Sequence, residues 1–143
     1  MDWDKLFSLV NTLALAAWIA LVFLPRLQIL RNAIRFGVTG ILAAVYASLV
    51  FTHFAGVEGG GFGSLAAVKA LFASDPLLLA GWIHYLAFDL FVGVWLAERL
   101  DAQRVSRLFQ APILVTVFMF GPLGLLLGYM PSLVKVSPQP INA

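Results

Sequence analysis

Residues 82–93 read WIHYLAFDLFVG, and they place a histidine, a tyrosine and a carboxylate inside an apolar stretch that extends over 77–97. A titratable side chain in the middle of a membrane helix is costly unless its neighbours satisfy it, so it marks a functional site by default. Asp89 and His84 are therefore the first candidates for chemistry. The alternative is structural: Asp89 would cap backbone groups near a helix kink, and His84 would bridge two helices.

The composition indicates a membrane protein. Of the 143 residues, 62% are hydrophobic and 11% are charged, and the mean hydropathy is +0.96. Soluble domains carry roughly 45–50% apolar and about 25% charged residues, so a small globule could not bury this much apolar surface. The net charge of +2 is too small to indicate a nucleic-acid partner. The absence of cysteine excludes disulfides and thiolate metal sites.

Four apolar stretches, at 6–24, 36–54, 77–97 and 111–130, approach the ~20 residues that a helix needs to cross a bilayer. They predict an all-α fold, an integral membrane four-helix bundle that forms a single domain over 1–130. Ser64 is placed to cap a short amphipathic helix near 64–73, on the membrane surface or over the bundle. The proline-containing tail at 131–143 is predicted to be disordered.

The basic residues predict the orientation of the chain. Three arginines lie in each of two connections, between the first and second stretches and between the third and fourth: Arg26, Arg31 and Arg35, then Arg99, Arg104 and Arg107. Because basic loops stay on the cytoplasmic side, both connections should be cytoplasmic and both termini should lie outside. The expected location is the bacterial inner membrane.

Small residues and one proline predict how the helices pack. Glycine, alanine and serine on the second, third and fourth stretches allow close contact between helices and leave room for a homo-oligomer. Gly121-Pro122 should kink the fourth stretch near the middle of the membrane, because proline removes a helical hydrogen bond.

The third stretch is expected to contact two neighbouring helices and to present different polar residues to each of them. On a helix, Trp82, Tyr85 and Asp89 fall within one narrow arc, whereas His84 lies about 140° from Asp89. At ~1.5 Å per residue, His84 lies roughly 10 Å and Asp89 roughly 18 Å from the outer end. No Lys or Arg lies within the stretches, so we expect Asp89 to donate a proton from its neutral form. Polar residues at similar depths in the membrane predict a cavity in the outer half of the bundle. It would have aromatic walls and be lined by Asn11, Tyr46, His84, Tyr85 and Asp89.

Other kinds of site fit the spacing less well. A bis-histidine haem would need His53 and His84 at one depth, but His84 lies two turns deeper. A zinc site needs three or four ligands, and only His53, His84 and Asp89 are available. We therefore expect neither a metal nor a cofactor. A proton-coupled transporter would need a polar path to both faces of the membrane, but the cytoplasmic halves of the second and fourth stretches are too apolar for one. A pigment-binding or assembly protein is therefore the main alternative to an enzyme.

Two motifs resemble a known family. Residues 81–93 (GWIHYLAFDLFVG) and 118–125 (FMFGPLGL) are similar to the abscisic-acid-deficient-four-like family, and the resemblance covers nearly the whole chain. The resemblance implies a four-span membrane protein. For plant members it implies the conversion of violaxanthin to neoxanthin, an isomerisation that opens an epoxide and creates an allene.

The same resemblance implies a site with a proton donor and a base and without a redox cofactor. Asp89 and His84, at the matching motif positions, would be the catalytic residues. The predicted substrate-binding residues are Tyr85, Trp82, Asn11, Tyr46 and Phe120.

The sequence starts directly at the first stretch, without the targeting extension of a plant plastid protein, so we expect a prokaryotic source. We therefore do not expect this chain to share the substrate of the plant members. The expected partners are the lipid bilayer and a carotenoid-like lipophilic molecule. A second copy of the chain and a pigment-pathway enzyme are further candidates.

Overall fold

The computed structural model describes residues 2–134, without the side chains of 131–134. This part of the chain is helical and contains no strand. In chain order it comprises α1 (Trp3–Phe23), α2 (Gln28–Asn32), a π-helical segment (Ala33–Val38), α3 (Thr39–His53), a 3₁₀ turn (Phe54–Gly56), α4 (Leu65–Phe72), α5 (Asp75–Ala102), α6 (Arg107–Phe120) and α7 (Pro122–Val134).

Two helices begin at side-chain caps. The Asp2 carboxylate accepts a hydrogen bond from the backbone N–H of Lys5 at 3.1 Å, and α1 follows. The Ser64 hydroxyl accepts one from the backbone N–H of Ala67 at 3.1 Å, and α4 follows. Each cap satisfies a donor that the first helical turn leaves without an intrahelical partner. The predicted short helix near 64–73 and its Ser64 cap are thus confirmed.

Three helices are long and apolar enough to cross a membrane: Trp3–Phe23, Gln28–Gly56 and Asp75–Ala102. The first three predicted stretches coincide with them. The second helix begins earlier than predicted, because α2 and the π-helical segment continue directly into α3. The Thr39 hydroxyl donates to the Ile34 carbonyl oxygen at 3.0 Å, which spans the wider turn of that segment.

The fourth predicted stretch is divided in two. α6 ends at Phe120 and α7 begins at Pro122, while Gly121 between them has φ 35° and ψ −92°. A 14-residue helix such as α6 is about 21 Å long, less than the ~30 Å of a hydrocarbon core. The break lies where Gly121-Pro122 predicts a kink, but it is a turn between two helices. A four-helix bundle is therefore not confirmed.

The first compact unit covers Met1–Phe91. Its core forms where α1, α3 and the first part of α5 meet. The buried residues of this core are Val10, Ala14, Leu42, Leu49, Leu79, Ala80, Ile83, Leu86 and Ala87. This core includes the small residues Ala14, Ala80 and Ala87.

Two arginines of the first connection contact neighbouring helical residues. Arg26 is only 6% exposed, and its Nε donates to the Leu21 carbonyl oxygen at 2.9 Å. An arginine at this position satisfies a carbonyl group in the last turn of α1. Arg35 places its guanidinium 5.9 Å from the centre of the Phe91 ring. These cations therefore have structural contacts in addition to their predicted topological role.

The second compact unit begins at Val92. Gln110 is fully buried, and its amide donates to Asp101 Oδ1 at 2.8 Å and to the Val105 carbonyl oxygen at 2.7 Å. These bonds hold the turn between α5 and α6. A Cβ added at Gly128 of α7 would lie 2.5 Å from Leu96 Cδ2, so α7 packs closely on the end of α5.

The predicted tail starts at 131, but α7 continues to Val134. The rest of that prediction, 135–143, lies outside the described residues.

Candidate functional site

Helix α5 separates its polar side chains onto two sides, and each side borders a cavity. His84 lies on the side towards α3, while Trp82 and Tyr85 lie on the side towards α1. Consecutive helical residues are about 100° apart, so neighbours in sequence point to different helices. We call the two spaces the His84 cavity and the Tyr85 cavity.

The His84 cavity has a volume of about 530 Å³. It is bordered by α3, the 3₁₀ turn, the glycine-rich loop at 59–63, α4 and α5. Its lining residues are Tyr46, Val50, Phe54, Phe62, Leu71, Phe72, Leu77, Ala80, Gly81 and His84. Among these ten, only Tyr46 and His84 carry a polar side chain. The cavity therefore suits an apolar group that meets one imidazole and one phenol.

The ring of His84 is held by two aromatic neighbours. It stacks on Phe88 with ring centres 4.5 Å apart and lies 5.5 Å from the ring of Tyr46. Neither His84 nor Tyr46 makes a side-chain hydrogen bond to another described residue. Their polar atoms are thus available to a ligand. A neutral imidazole can accept a proton and a phenol can donate one, so this pair is able to move protons across a bound molecule.

The Tyr85 cavity has a volume of about 670 Å³ and lies between α1, α4 and the start of α5. Three of its rings form a continuous wall. The ring centres of Phe7 and Trp82 are 5.8 Å apart, and those of Trp82 and Tyr85 are 5.6 Å apart. The complete lining is Trp3, Asp4, Phe7, Phe72, Asp75, Leu78, Leu79, Gly81, Trp82 and Tyr85.

Hydrogen bonds hold this aromatic wall in place. Trp82 Nε1 donates to Asn11 Oδ1 at 3.1 Å, and Asn11 Nδ2 donates to the Phe7 carbonyl oxygen at 2.7 Å. The Tyr85 phenol interacts with the carboxylate of Asp89, one helical turn further along α5. Asn11 thus orients Trp82 and lines neither of the two cavities, while Asp89 orients Tyr85.

Asp89 is half-buried in α5. Its Oδ2 atom is buried and accepts no hydrogen bond from the part of the chain that the structure describes. Asp89 is also absent from the lining of both cavities. Its position lets it act on Tyr85, but it does not place its carboxylate beside His84.

The residues predicted to line one cavity are thus distributed over two. Tyr46 and His84 share the first cavity, and Trp82 and Tyr85 share the second. Phe120 lies in the second compact unit and is 61% exposed. The catalytic and binding roles predicted for these residues remain predictions.

Phe72 and Gly81 separate the two cavities, and neither is among the site residues predicted from the sequence. Both residues line both spaces. A Cβ added at Gly81 would lie 2.8 Å from Phe72 Cε1, so the phenyl ring of α4 lies directly over this glycine of α5. The available signal was that Gly81 opens the polar motif at 81–93, but a glycine alone does not reveal its partner.

We expect the cross-helix bond of Asn11 to contribute about 1 kcal/mol to stability, a magnitude typical of such bonds in membranes. Replacing Asn11 by leucine leaves Trp82 Nε1 without its acceptor, so the free energy of unfolding in detergent should fall by about that amount. Thr12→Val is the matched control, because Thr12 bonds only to Ser8 within α1, at 2.8 Å. Equal losses in the two variants would contradict the assignment.

Among the described side chains, no three His, Asp or Glu residues come close enough to hold one ion.

Comparison with known proteins identifies one family. The family model described as ABA DEFICIENT 4-like matches residues 5–127. This match includes every residue that lines the His84 cavity. No curated protein and no solved structure matches the chain.

Proposed function

Because the chain belongs to the ABA DEFICIENT 4-like family, we propose that it binds a carotenoid-like lipophilic molecule in the membrane and isomerises it by proton transfer. Family membership and three helices able to span a bilayer fit a membrane protein. The substrate class, the reaction and the bacterial inner membrane as its location are parts of the proposal.

The observation that supports this function is the His84 cavity. Ligand sites typically measure about 300–1,000 Å³ and combine an apolar lining with a few polar groups. At about 530 Å³, with His84 and Tyr46 as its only polar side chains, the cavity falls in this class. It is large enough for the cyclic end group of a polyisoprenoid. The rest of such a long molecule would remain in the surrounding lipid.

The two polar groups are able to perform an isomerisation without a net exchange of protons. For an end group that carries an epoxide, His84 would remove a proton from carbon, and the released electron pair would form a new C=C bond. The C–O bond of the epoxide would break, and Tyr46 would protonate the oxygen. The proton that His84 took from carbon would then pass to the Tyr46 phenolate, whose ring lies 5.5 Å away, so both residues regain their starting states. Such general acid–base catalysis typically contributes about 10²–10⁴-fold.

A second candidate function is binding without turnover, as a pigment carrier or assembly protein. It is favoured by the separation of His84 from Asp89, because the acid and base expected from the sequence do not line the same cavity. In this case the His84 cavity would hold an end group, and His84 would only donate a hydrogen bond to it.

Expression in a carotenoid-producing host tests both functions. The proposed enzyme should create a pigment of unchanged mass and altered retention time, which cells without the gene lack. An unchanged pigment that co-purifies with the protein would support the binding function. If the pigment profile stays unchanged and no pigment co-purifies, both functions are wrong.

We expect the two arginine-containing connections to lie in the cytoplasm. The chain has no cysteine, so single cysteines can report the topology. Glu58→Cys, in the exposed loop before α4, should react with an impermeant maleimide in intact cells. Ala102→Cys, at the exposed end of α5, should react only after permeabilisation. The reverse pattern would contradict this orientation.

The position of the C-terminus is a separate part of the proposal. Both termini lie outside only if α6 and α7 cross the membrane together, since three crossings would leave the C-terminus in the cytoplasm. Labelling of an Ala143→Cys variant in intact cells would support four crossings, and labelling only after permeabilisation would contradict them.

A further inference from the structure

The Tyr85 cavity differs from the His84 cavity in charge. Two carboxylates, Asp4 and Asp75, line it together with the rings of five aromatic residues. None of its ten lining residues is a lysine, an arginine or a histidine. The lining therefore combines two negative charges with five aromatic rings, whose faces carry the negative part of the ring quadrupole.

Two polar groups in the lining of this cavity already have partners. The indole N–H of Trp82 donates to Asn11 Oδ1 at 3.1 Å, and the phenol of Tyr85 interacts with the carboxylate of Asp89. These contacts hold the two side chains in place as part of the aromatic wall. An anionic ligand at this wall would find neither a cation nor either of these donors.

The two carboxylates have no cation of their own among the described residues. Neither Asp4 nor Asp75 forms an ion pair or a side-chain hydrogen bond there. The adjacent Lys5 pairs instead with Asp2, at 3.1 Å. Asp4 and Asp75 lie in the first turns of α1 and α5, where the helix dipoles stabilise negative charge. The dipoles alone explain an acidic residue at each helix start, but they do not explain the aromatic wall between them.

We propose that the Tyr85 cavity binds a quaternary ammonium group, the cation of choline and its derivatives. Such a cation has a diffuse charge and an apolar methyl surface, so it gains from ring faces and carboxylates without donating hydrogen bonds. A small metal ion would instead need several converging oxygen ligands, and the cavity offers two carboxylates on different helices. The inference is independent of the proposed isomerisation, which uses His84 and Tyr46 on the other side of Phe72.

The cation has two possible sources, the head group of a lipid and a free solute. The cavity lies at the start of α1 and α5, and helices of this kind begin near the head-group region of a bilayer. The chemistry recognised is the same in both cases, so the experiment separates them.

Tetramethylammonium is the probe for the test, and the intact chain in phosphatidylglycerol nanodiscs is the protein sample. Trp3 and Trp82 line the cavity, so binding should change the tryptophan fluorescence saturably, and sodium chloride at the same ionic strength should not. In the Asp4→Asn/Asp75→Asn double variant the affinity should fall about tenfold or more, since both attracting charges are lost. Both aspartates are exposed, so this variant should still fold, which circular dichroism can verify.

Glu58→Gln is the matched control, because it removes an exposed carboxylate that does not line the cavity. Its affinity for tetramethylammonium should equal that of the unmodified chain. An equal response to sodium chloride, or an unchanged affinity in the double variant, would overturn the proposal. The comparison is then repeated with phosphatidylcholine replacing part of the lipid. A weaker apparent affinity would assign the site to the lipid head group, and an unchanged one would assign it to a free cation.

Discussion

Replacing His84 by alanine should lower the yield of the new pigment isomer at least a hundredfold. His84 is the only imidazole in the lining of the His84 cavity, and no other lining residue has a basic side chain. Loss of a general base typically costs about 10²–10⁴-fold in rate. The measurement is the ratio of isomer to precursor in extracts of a carotenoid-producing host, normalised to the amount of inserted protein.

Three further variants make this prediction specific. His84→Gln keeps a polar side chain of similar size but cannot act as a base, so it should be as inactive as the alanine variant. Tyr46→Phe removes the proposed donor and should also lower the yield strongly. Asp89→Asn should have a smaller effect, because Asp89 lines neither cavity and contacts Tyr85. Full activity of His84→Gln, together with an inactive Asp89→Asn, would show that the Asp89 carboxylate and not His84 performs the proton transfer.

We expect Gly124→Ala to lower the free energy of unfolding by about 3 kcal/mol or more, or to prevent insertion. A Cβ at this position would lie 2.5 Å from Val117 Cα and closer still to the Val117 backbone nitrogen. Overpacking typically costs about 1–3 kcal/mol when side chains can move aside. Here the obstructing atoms belong to the backbone of α6, so the turn at Gly121 would have to open. Unfolding in detergent and the yield of inserted protein measure the effect.

Gly40→Ala is the control for this substitution. Gly40 lies within α3, and a Cβ added there meets no atom within 4 Å. Alanine is the better helix former by about 1 kcal/mol, so this variant should be as stable as the unmodified chain or slightly more stable. If both glycine variants behaved alike, the close approach of α7 to α6 would be wrong.

Local patterns in the sequence were enough to predict most of the helices. Apolar runs of sufficient length predicted the three helices that can span a membrane, and the Ser64 cap predicted where α4 begins. The position of the irregularity at Gly121-Pro122 was also predictable, because proline lacks the N–H that continues a helix. The sharpness of the turn was not predictable, because it depends on the contact between Gly124 and Val117, which are seven residues apart.

The site was predictable only as a set of residues on one helix. The helical wheel correctly separates His84 from Asp89 by about 140°, but it contains no information on which neighbour each side meets. The contacts of α5 with α1 and α3 decide that Tyr46 lies beside His84, and that Asn11 bonds to Trp82. Phe72 illustrates the limit, because nothing near it in sequence indicates that its ring covers Gly81.

The sequence by itself therefore determined that this chain is helical, apolar enough for a membrane and a member of its family, and which helix carries the polar residues. These properties depend on composition and on periodicities of a few residues. Only the tertiary structure decided that the polar residues border two cavities rather than one, and that Asp89 lines neither of them. The physical reason is that a helix distributes its side chains around a full circle, and only the packing of other helices against it determines which of them share a space.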